Sequence, residues 1–283
     1  VGCSGIAAAR VIEASPLAPM PGSHAAAYAA LPQTRVVAVC DLLPERMDAF
    51  VKTWSSEWGE IAVYKDYRDM LAVERLDILS VATRDDKHAD IVVDAANAGV
   101  KGIFCEKPIA TNLGDADRMI EACERNGAKI VVDHTRRWYP LYNAVKQLLR
   151  ERRIGELSRI LGTLGGPRAM LFRNGTHMLD TICFFAGSEP DWVFAELDEG
   201  YEDYWEYRGD GGHNPDTEPG ASAYMHFRNR VRGFYNGSKP SAPAFNLELQ
   251  GFEGWIMVSD DRAFLWTTLP QTREVVGRPI RQP

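Results

Sequence analysis

The chain has 283 residues with 45% hydrophobic content, enough for a sizeable core and for two domains or one large one. Its net charge is −7 and no long basic run occurs, which excludes the electrostatic footprint of a nucleic-acid binder. No apolar stretch approaches the roughly 20 residues needed to span a bilayer, so no membrane partner is expected.

The five cysteines are Cys3, Cys40, Cys105, Cys123 and Cys183. There is no C-x-x-C pair, and three of the five sit in or beside apolar strand-like runs. This pattern predicts reduced core thiols, no metal site and a cytoplasmic location. No secretory leader is visible, so the N-x-[ST] matches at Asn174 and Asn236 read as chance. The chain begins at Val1 in what reads as the end of a strand, and further residues are expected upstream of it.

VGCSGIA opens as a glycine-rich turn leading into an alanine-containing helix, followed by an insertion stiffened by Pro16, Pro19 and Pro21. RVVAVCD (35–41) is a β-branched run ending in an acid. PERMDAFVKTW is predicted helical with Pro44 in its first turn. YKDYRDML predicts a short helix, LDILSVAT (76–83) a buried strand, and KHADIVVDAANAG a helix closed at Gly99. VKGIFCE is again a strand, NLGDADRMIEACERNG a helix capped by Gly127, and AKIVVDH a strand. Continuously apolar strands alternating with helices predict a parallel, doubly wound α/β sheet over 1–133.

From 134 to 283 the pattern changes. WYPLYNAVKQLLRERRIG is predicted as one helix and THMLDTICFFAG as another. The remaining runs mostly alternate and are broken by Gly, Asn and Asp, which predicts an α+β domain with a large open mixed or antiparallel sheet. Residues 200–220 form a polar loop rich in acids and aromatics. Its YEDYWEY stretch suits either a sugar-stacking platform or a subunit interface.

The turn matches G-x-G-x-x-G loosely, with Gly2 in the first place, Ser4 in the second and Ala7 in the third, and with Gly5 and Ile6 between the last two. A generic Gly-rich βα turn fits as well as a dinucleotide turn. Asp41 ends the second strand, where an acid accepts hydrogen bonds from ribose hydroxyls and repels a 2′-phosphate. That favours NAD over NADP. The alternative for Asp41 is a cap on the following helix.

Glu106, Lys107 and Pro108 stand where a buried strand ends. Ligands of doubly wound sheets bind outside that edge. A lysine there, partly desolvated and facing a cationic nicotinamide, is poised to exchange a proton with a substrate hydroxyl. A surface ion pair is the competing reading.

Taken together, VGCSGIA, HAAAYAALPQTRVVAVCD, DILSVATRDDKHADIVVDAANAGVKGIFCEKPIA, HTRRWYP, NGTHMLD and LELQGFEGWIMVSD resemble the Gfo/Idh/MocA family of nicotinamide-dependent oxidoreductases, in family order. The resemblance implies a Rossmann domain followed by a domain whose open sheet buries its free face in a homodimer or homotetramer. It implies NAD, with NADP the lesser alternative, and a sugar, cyclitol or sugar-acid substrate held between the domains. Thr83 and His88 would form a cofactor-contacting loop, although His88 alone fits a helix start equally well. Glu106 would contact cofactor ribose or the motif backbone, and Lys107–Pro108 would be a cis peptide. One of Arg136 and Arg137 would contact substrate or nicotinamide, with Trp138 and Asn174 beside the substrate.

His177 matches the family's general base. On its own it reads equally as a helix N-cap neighbour or a buried core histidine. Where relatives carry an Asp four residues earlier, this chain has Arg173. An arginine there points to an anionic group on the substrate or to pairing with an acid of the 200–220 loop. The expected reaction is oxidation or reduction of a secondary hydroxyl or keto group. The alternatives are a redox-neutral NAD-dependent glycosidase or lyase that retains its NAD, and a non-catalytic sugar or nucleotide sensor.

Overall fold

A computed structural model describes residues 1–3, 5–10, 21–209, 213–268 and 275–280. The chain divides into two compact units, Val1–Asp133 with Arg208–Gly211, and His134–Tyr207 with Gly212–Pro283.

The first unit holds two parallel ladders. One pairs β1 (Ala38–Cys40) with β2 (Ala62–Tyr64). The other runs in the order β3 (Ile78–Val81), β4 (Gly102–Cys105), β5 (Lys129–Val132). Instead of one continuous sheet, the ladders are joined through Val1 and Gly2. Gly2 N–H donates to Cys40 O at 2.8 Å, and Ala82 N–H donates to Val1 O at 2.8 Å. Below this bridge a cavity of about 220 Å³ is lined by residues of both ladders, including Val39, Leu79 and Ser80.

Among the described residues, five α-helices accompany these strands: α1 (His24–Ala29), α2 (Pro44–Trp58), α3 (Tyr67–Val73), α4 (His88–Asn97) and α5 (Leu113–Asn126). Their ends follow local chemistry. Pro44 starts α2, where its missing N–H costs nothing. Asn112 caps α5 by accepting from Asp115 N–H, and Gly127 ends it in the left-handed region. Val81, Val92, Ala95, Ala96, Cys105 and Met119 are completely buried among the strands and helices. Ile78 and Val131 are exposed, so burial on both strand faces is incomplete at those positions. All five cysteines are free thiols, and four of them are buried.

The alanine helix expected directly after the glycine turn is only a 3-10 turn, Gly5–Ala7. The physical reason lies in its carbonyls. Trp54 Nε1–H donates to Ala8 O at 2.8 Å and Ser23 Oγ–H to Ala9 O at 2.5 Å, taking acceptors that a helix would use. The proline-bearing insertion lies outside the described residues except for Pro21, and so does Ser4.

The second unit is built on an eight-stranded mixed sheet. Its strands are β6 (Leu157–Gly165), β7 (Pro190–Leu197), β8 (Ala221–Phe227), β9 (Arg232–Ser238), β10 (Ala244–Gly251), β11 (Gly254–Ser259), β12 (Ala263–Thr268) and β13 (Val275–Ile280). Their order is β13-β12-β11-β10-β6-β9-β8-β7. The β6–β9 pair is parallel and the other pairs are antiparallel. Helices α6 (Pro140–Arg150) and α7 (Gly175–Ala186) cover one face. Gly162 lets α7 approach closely, since a Cβ there would lie 2.7 Å from Met178 Sδ. The expected long helix after Trp138 is shorter, confined to α6, because Arg152 turns the chain at φ 55°.

The other sheet face is rich in aromatics. Trp192 stacks on His226 at 5.5 Å and Trp255 on Trp266 at 5.6 Å. Phe194 is 72% exposed, and Met257 and Phe264 are also open to solvent. In the 200–220 loop, Tyr207 stacks on Phe172 at 4.5 Å. Lys239 Nζ holds the same loop through Tyr201 Oη, Pro215 O and Glu218 O.

Gly2 has φ +87°, and a Cβ there would stand 2.3 Å from Ala82 O. Gly2→Ala is therefore expected to cost about 1–3 kcal/mol or more in strain. Gly5→Ala, with nothing within 4 Å of its Cβ position, meets only the left-handed φ of +48°. Thermal denaturation of the two variants should show Gly2→Ala as clearly the more damaging.

Candidate functional site

In the first unit the polar groups gather at the carboxyl ends of the strands. Asp41 follows β1 and is buried. Its Oδ2 accepts from Cys3 N–H at 2.8 Å and its Oδ1 from Leu43 N–H at 3.0 Å. One carboxylate thus ties the glycine turn to the entry of α2 and still has lone pairs to offer. Arg46 Nη1 stands 3.9 Å from Asp41 Oδ2. Gly5 is in open space and Ile6 is 38% exposed, so the backbone of the turn is accessible.

Thr83 follows β3, and its hydroxyl donates to Arg84 O at 3.2 Å. His88 is the first residue of α4 and is fully buried. Its Nδ1 lies 3.0 Å from Pro108 O and its Nε2 3.4 Å from Thr83 O. The ring therefore ties the loop after β3 to the loop after β4.

Glu106, Lys107 and Pro108 follow β4, and the Lys107–Pro108 bond is cis. Lys107 is buried, and its N–H donates to Glu106 Oε2 at 3.2 Å. His24, the first residue of α1, places Nε2 3.3 Å from Glu106 Oε1 and 3.6 Å from Asp133 Oδ2. Asp133 follows β5. Burial pushes the His24 imidazole toward neutrality, but hydrogen bonds to Asp133 and Glu106 overcome it and raise its pKa above 6.5. Burial would raise the Glu106 carboxyl, but the His24 bond and the nearby His24 and Lys107 charges hold it below its ordinary 4.5. His24, Glu106 and Asp133 are also the one group of three metal-ligating residue types that the described residues bring together.

In the second unit the expected residues fall around the start of α7. His177 lies in its first turn, its ring edge-on to His134 with centroids 5.8 Å apart. Asp180, one turn further on, receives Arg137 Nε at 2.8 Å and Nη2 at 2.8 Å, and lies 4.0 Å from His134 Nδ1. Arg136 forms a two-pronged pair with Asp260, Nε at 2.8 Å and Nη2 at 2.6 Å, and lies over the Phe245 ring. Tyr142 Oη–H donates to the same Asp260. Both arginines are thus held by carboxylates of the second unit. Trp138 is 49% exposed. Asn174 precedes α7 without capping it through its side chain. Arg173 lies near Arg168, whose guanidinium is lowered first by burial and then by the Arg173 charge.

Sequence reasoning missed His24, Asp133, His134, Arg168 and Asp180 as members of these clusters. His134 and Asp180 lie inside the quoted HTRRWYP and NGTHMLD segments, where their type alone was a signal. His24 and Glu106 are 82 positions apart, and nothing local joins them.

The linkage signs in the His24 cluster follow from these shifts. His24's raised pKa gives stability that is full below 6.5 and is lost as pH rises through the folded value. Glu106's lowered pKa gives stability present above 4.5 and lost as pH falls through its folded value. The melting-temperature gap between wild type and Glu106→Gln should be largest between pH 4.5 and 6.5 and shrink on the alkaline side. A gap independent of pH would contradict this.

Residues 20–134 match the family profile described as an oxidoreductase family with an NAD-binding Rossmann fold. The chain is 38% identical over 133 residues to a D-apiose dehydrogenase of Paraburkholderia graminis, covering 47% of this chain and 34% of that protein. It is 34% identical over 122 residues to an inositol 2-dehydrogenase of Salmonella typhimurium, covering 43% and 35%. The matched region thus spans about a third of the length of these relatives. Among solved structures, an oxidoreductase from Agrobacterium radiobacter in complex with NAD+, L-tartaric acid and magnesium superposes with a TM-score of 0.72 at 21% identity. That match covers 92% of this chain and 75% of that one. At this identity the likeness concerns the fold. No helix among the described residues is long and apolar enough to cross a membrane. Residues 20–134, which carry the strand-end acids and the E-K-P loop, are thus similar to the Gfo/Idh/MocA oxidoreductase family.

Proposed function

We propose that the protein is an NAD-dependent oxidoreductase acting on a secondary hydroxyl or keto group of a sugar, cyclitol or sugar acid. The observation that carries this reading is the buried Lys107 on its cis-proline loop, beside a carboxylate held ionised by His24. A buried ammonium group needs charged or hydrogen-bonding neighbours, and ligands of doubly wound sheets bind at the strands' carboxyl ends where this one stands. The dehydrogenase names of the relatives supply the substrate class.

NAD supplies hydride transfer at its nicotinamide ring. The residues that would hold it are Gly2, Gly5 and Ile6 on the turn, Asp41, and the loops carrying Thr83 and Glu106. The fit rests on the open backbone around Gly5 and the spare lone pairs of Asp41. Asp41 favours NAD, although Arg46 beside it offers a partner to a 2′-phosphate. Lys107 orients the reacting hydroxyl and exchanges its proton. In the second unit, His177 carries an imidazole, a group suited to proton transfer near neutral pH. Arg173, with Arg168 adding to the positive field, favours a substrate bearing a carboxylate or phosphate.

The solvent-open sheet face, with Trp192, Phe194, Met257 and Phe264, is proposed as the contact between copies of the chain. A Phe194→Asp, Phe264→Asp double variant should be smaller in solution than wild type by light scattering. Equal masses would remove this assignment.

Three outcomes test the enzyme reading. NAD should raise the melting temperature more than NADP, and Asp41→Ala should narrow the difference. Lys107→Met should lower turnover on the true substrate by about 10²–10⁴. Nucleotide released by denaturing the purified protein should be absent or exchangeable. Retained, non-exchanging NAD would turn the reading toward a redox-neutral cycle.

A further inference from the structure

His24 is assigned no contact with cofactor or substrate above, yet it is a buried polar group at the heart of the first unit's strand-end cluster. Its ring is 4% exposed and packs on Phe104 with centroids 4.6 Å apart. Its Nε2 faces two carboxylate oxygens at 3.3 and 3.6 Å. A bare lone pair there would face two anions, so Nε2 carries a proton and donates. Its Nδ1 is buried and has no hydrogen-bond partner among the described residues. An orphaned ring nitrogen and buried charges make a poor stability device, since well-packed apolar residues in such places are often as stable. A packing role alone does not explain a histidine here.

The connections of His24 do explain it. Glu106 uses one oxygen for His24 and the other for the N–H of Lys107. His24 therefore fixes the carboxylate that braces the lysine backbone, and anchors it to Asp133 at the end of β5. From the other side, Ser23 accepts from Ala26 N–H as the cap of α1 and donates to Ala9 O just after the glycine turn. The cofactor turn, α1 and the E-K-P loop thus form one connected chain of contacts. The charged groups acting on His24 are Glu106 after β4 and Asp133 after β5, with Lys107 acting through Glu106.

We propose that His24 is a positioning residue for the E-K-P loop, its Nε2–H holding Glu106 and through it Lys107 in the arrangement that receives the nicotinamide cofactor. This rests on the reading that the loop meets NAD. The test is NADH affinity, followed by fluorescence from about pH 5.5 to 9, for wild type, His24→Leu, His24→Gln and Asp133→Asn. Losing a buried charged hydrogen bond should weaken NADH roughly tenfold to a hundredfold in His24→Leu. Glutamine offers a non-titrating N–H. His24→Gln should therefore recover part of the affinity and be flat with pH, while wild type weakens as the imidazole deprotonates. A purely structural role would not produce that difference in pH dependence. If His24→Leu does not fold, the Gln and Asn variants carry the test. NADH binding by His24→Leu equal to wild type at every pH overturns the proposal alone. Failure of wild type itself to bind NADH removes the cofactor reading and this inference with it. Stabilisation of wild type but not His24→Leu by MgCl₂ or ZnCl₂ would overturn it by making the cluster a cation site.

Discussion

The first unit depends on a short piece of backbone, Val1–Gly2, shared by two parallel ladders. Its hydrogen bonds run to Cys40 on one side and to Ala82 and Ser80 on the other. A peptide unit that joins both ladders has little freedom, and Gly2 supplies the positive φ that the geometry requires. From that point the turn projects toward Asp41 and the ends of β1 and β3. The site's layout is thus a consequence of backbone hydrogen bonding before any side chain acts.

Acids then follow three of the strands directly: Asp41, Glu106 and Asp133. Each is mostly buried, and a desolvated carboxylate needs donors. Asp41 finds two backbone N–H groups, while Glu106 finds one and shares His24 with Asp133. The polar edge of the unit is therefore stiff, because each carboxylate links at least two segments of chain. Such an edge holds the Lys107 backbone in place through Glu106.

The second unit solves a different problem. Eight strands make two faces, and two helices cover only one of them. Small residues such as Gly162 bring α7, which carries His177 and Asp180, close to the central strands β6 and β9 of the covered face. The arginines beside it are spoken for: Arg136 by Asp260 and Phe245, Arg137 by Asp180. Burial and then the nearby Arg173 charge lower the pKa of the Arg168 guanidinium.

Much of this was legible in the residues. The caps Asn112 and Gly127, the proline start of α2 and the apolar strands are local signals, because capping and periodicity act within a few positions. The E-K-P loop and the acid at 41 were legible for the same reason. The lengths of two helices were not, since Trp54, Ser23 and the turn at Arg152 override local propensity. The sequence by itself determined the two-part α/β and α+β architecture and the residue types at the strand ends. Only the tertiary structure decided that His24 serves Glu106 and Asp133, that β6 runs parallel to β9, and that the two N-terminal ladders meet at Val1–Gly2. Those pairings join positions far apart in the chain, and their partners are fixed by packing and desolvation rather than by any local preference.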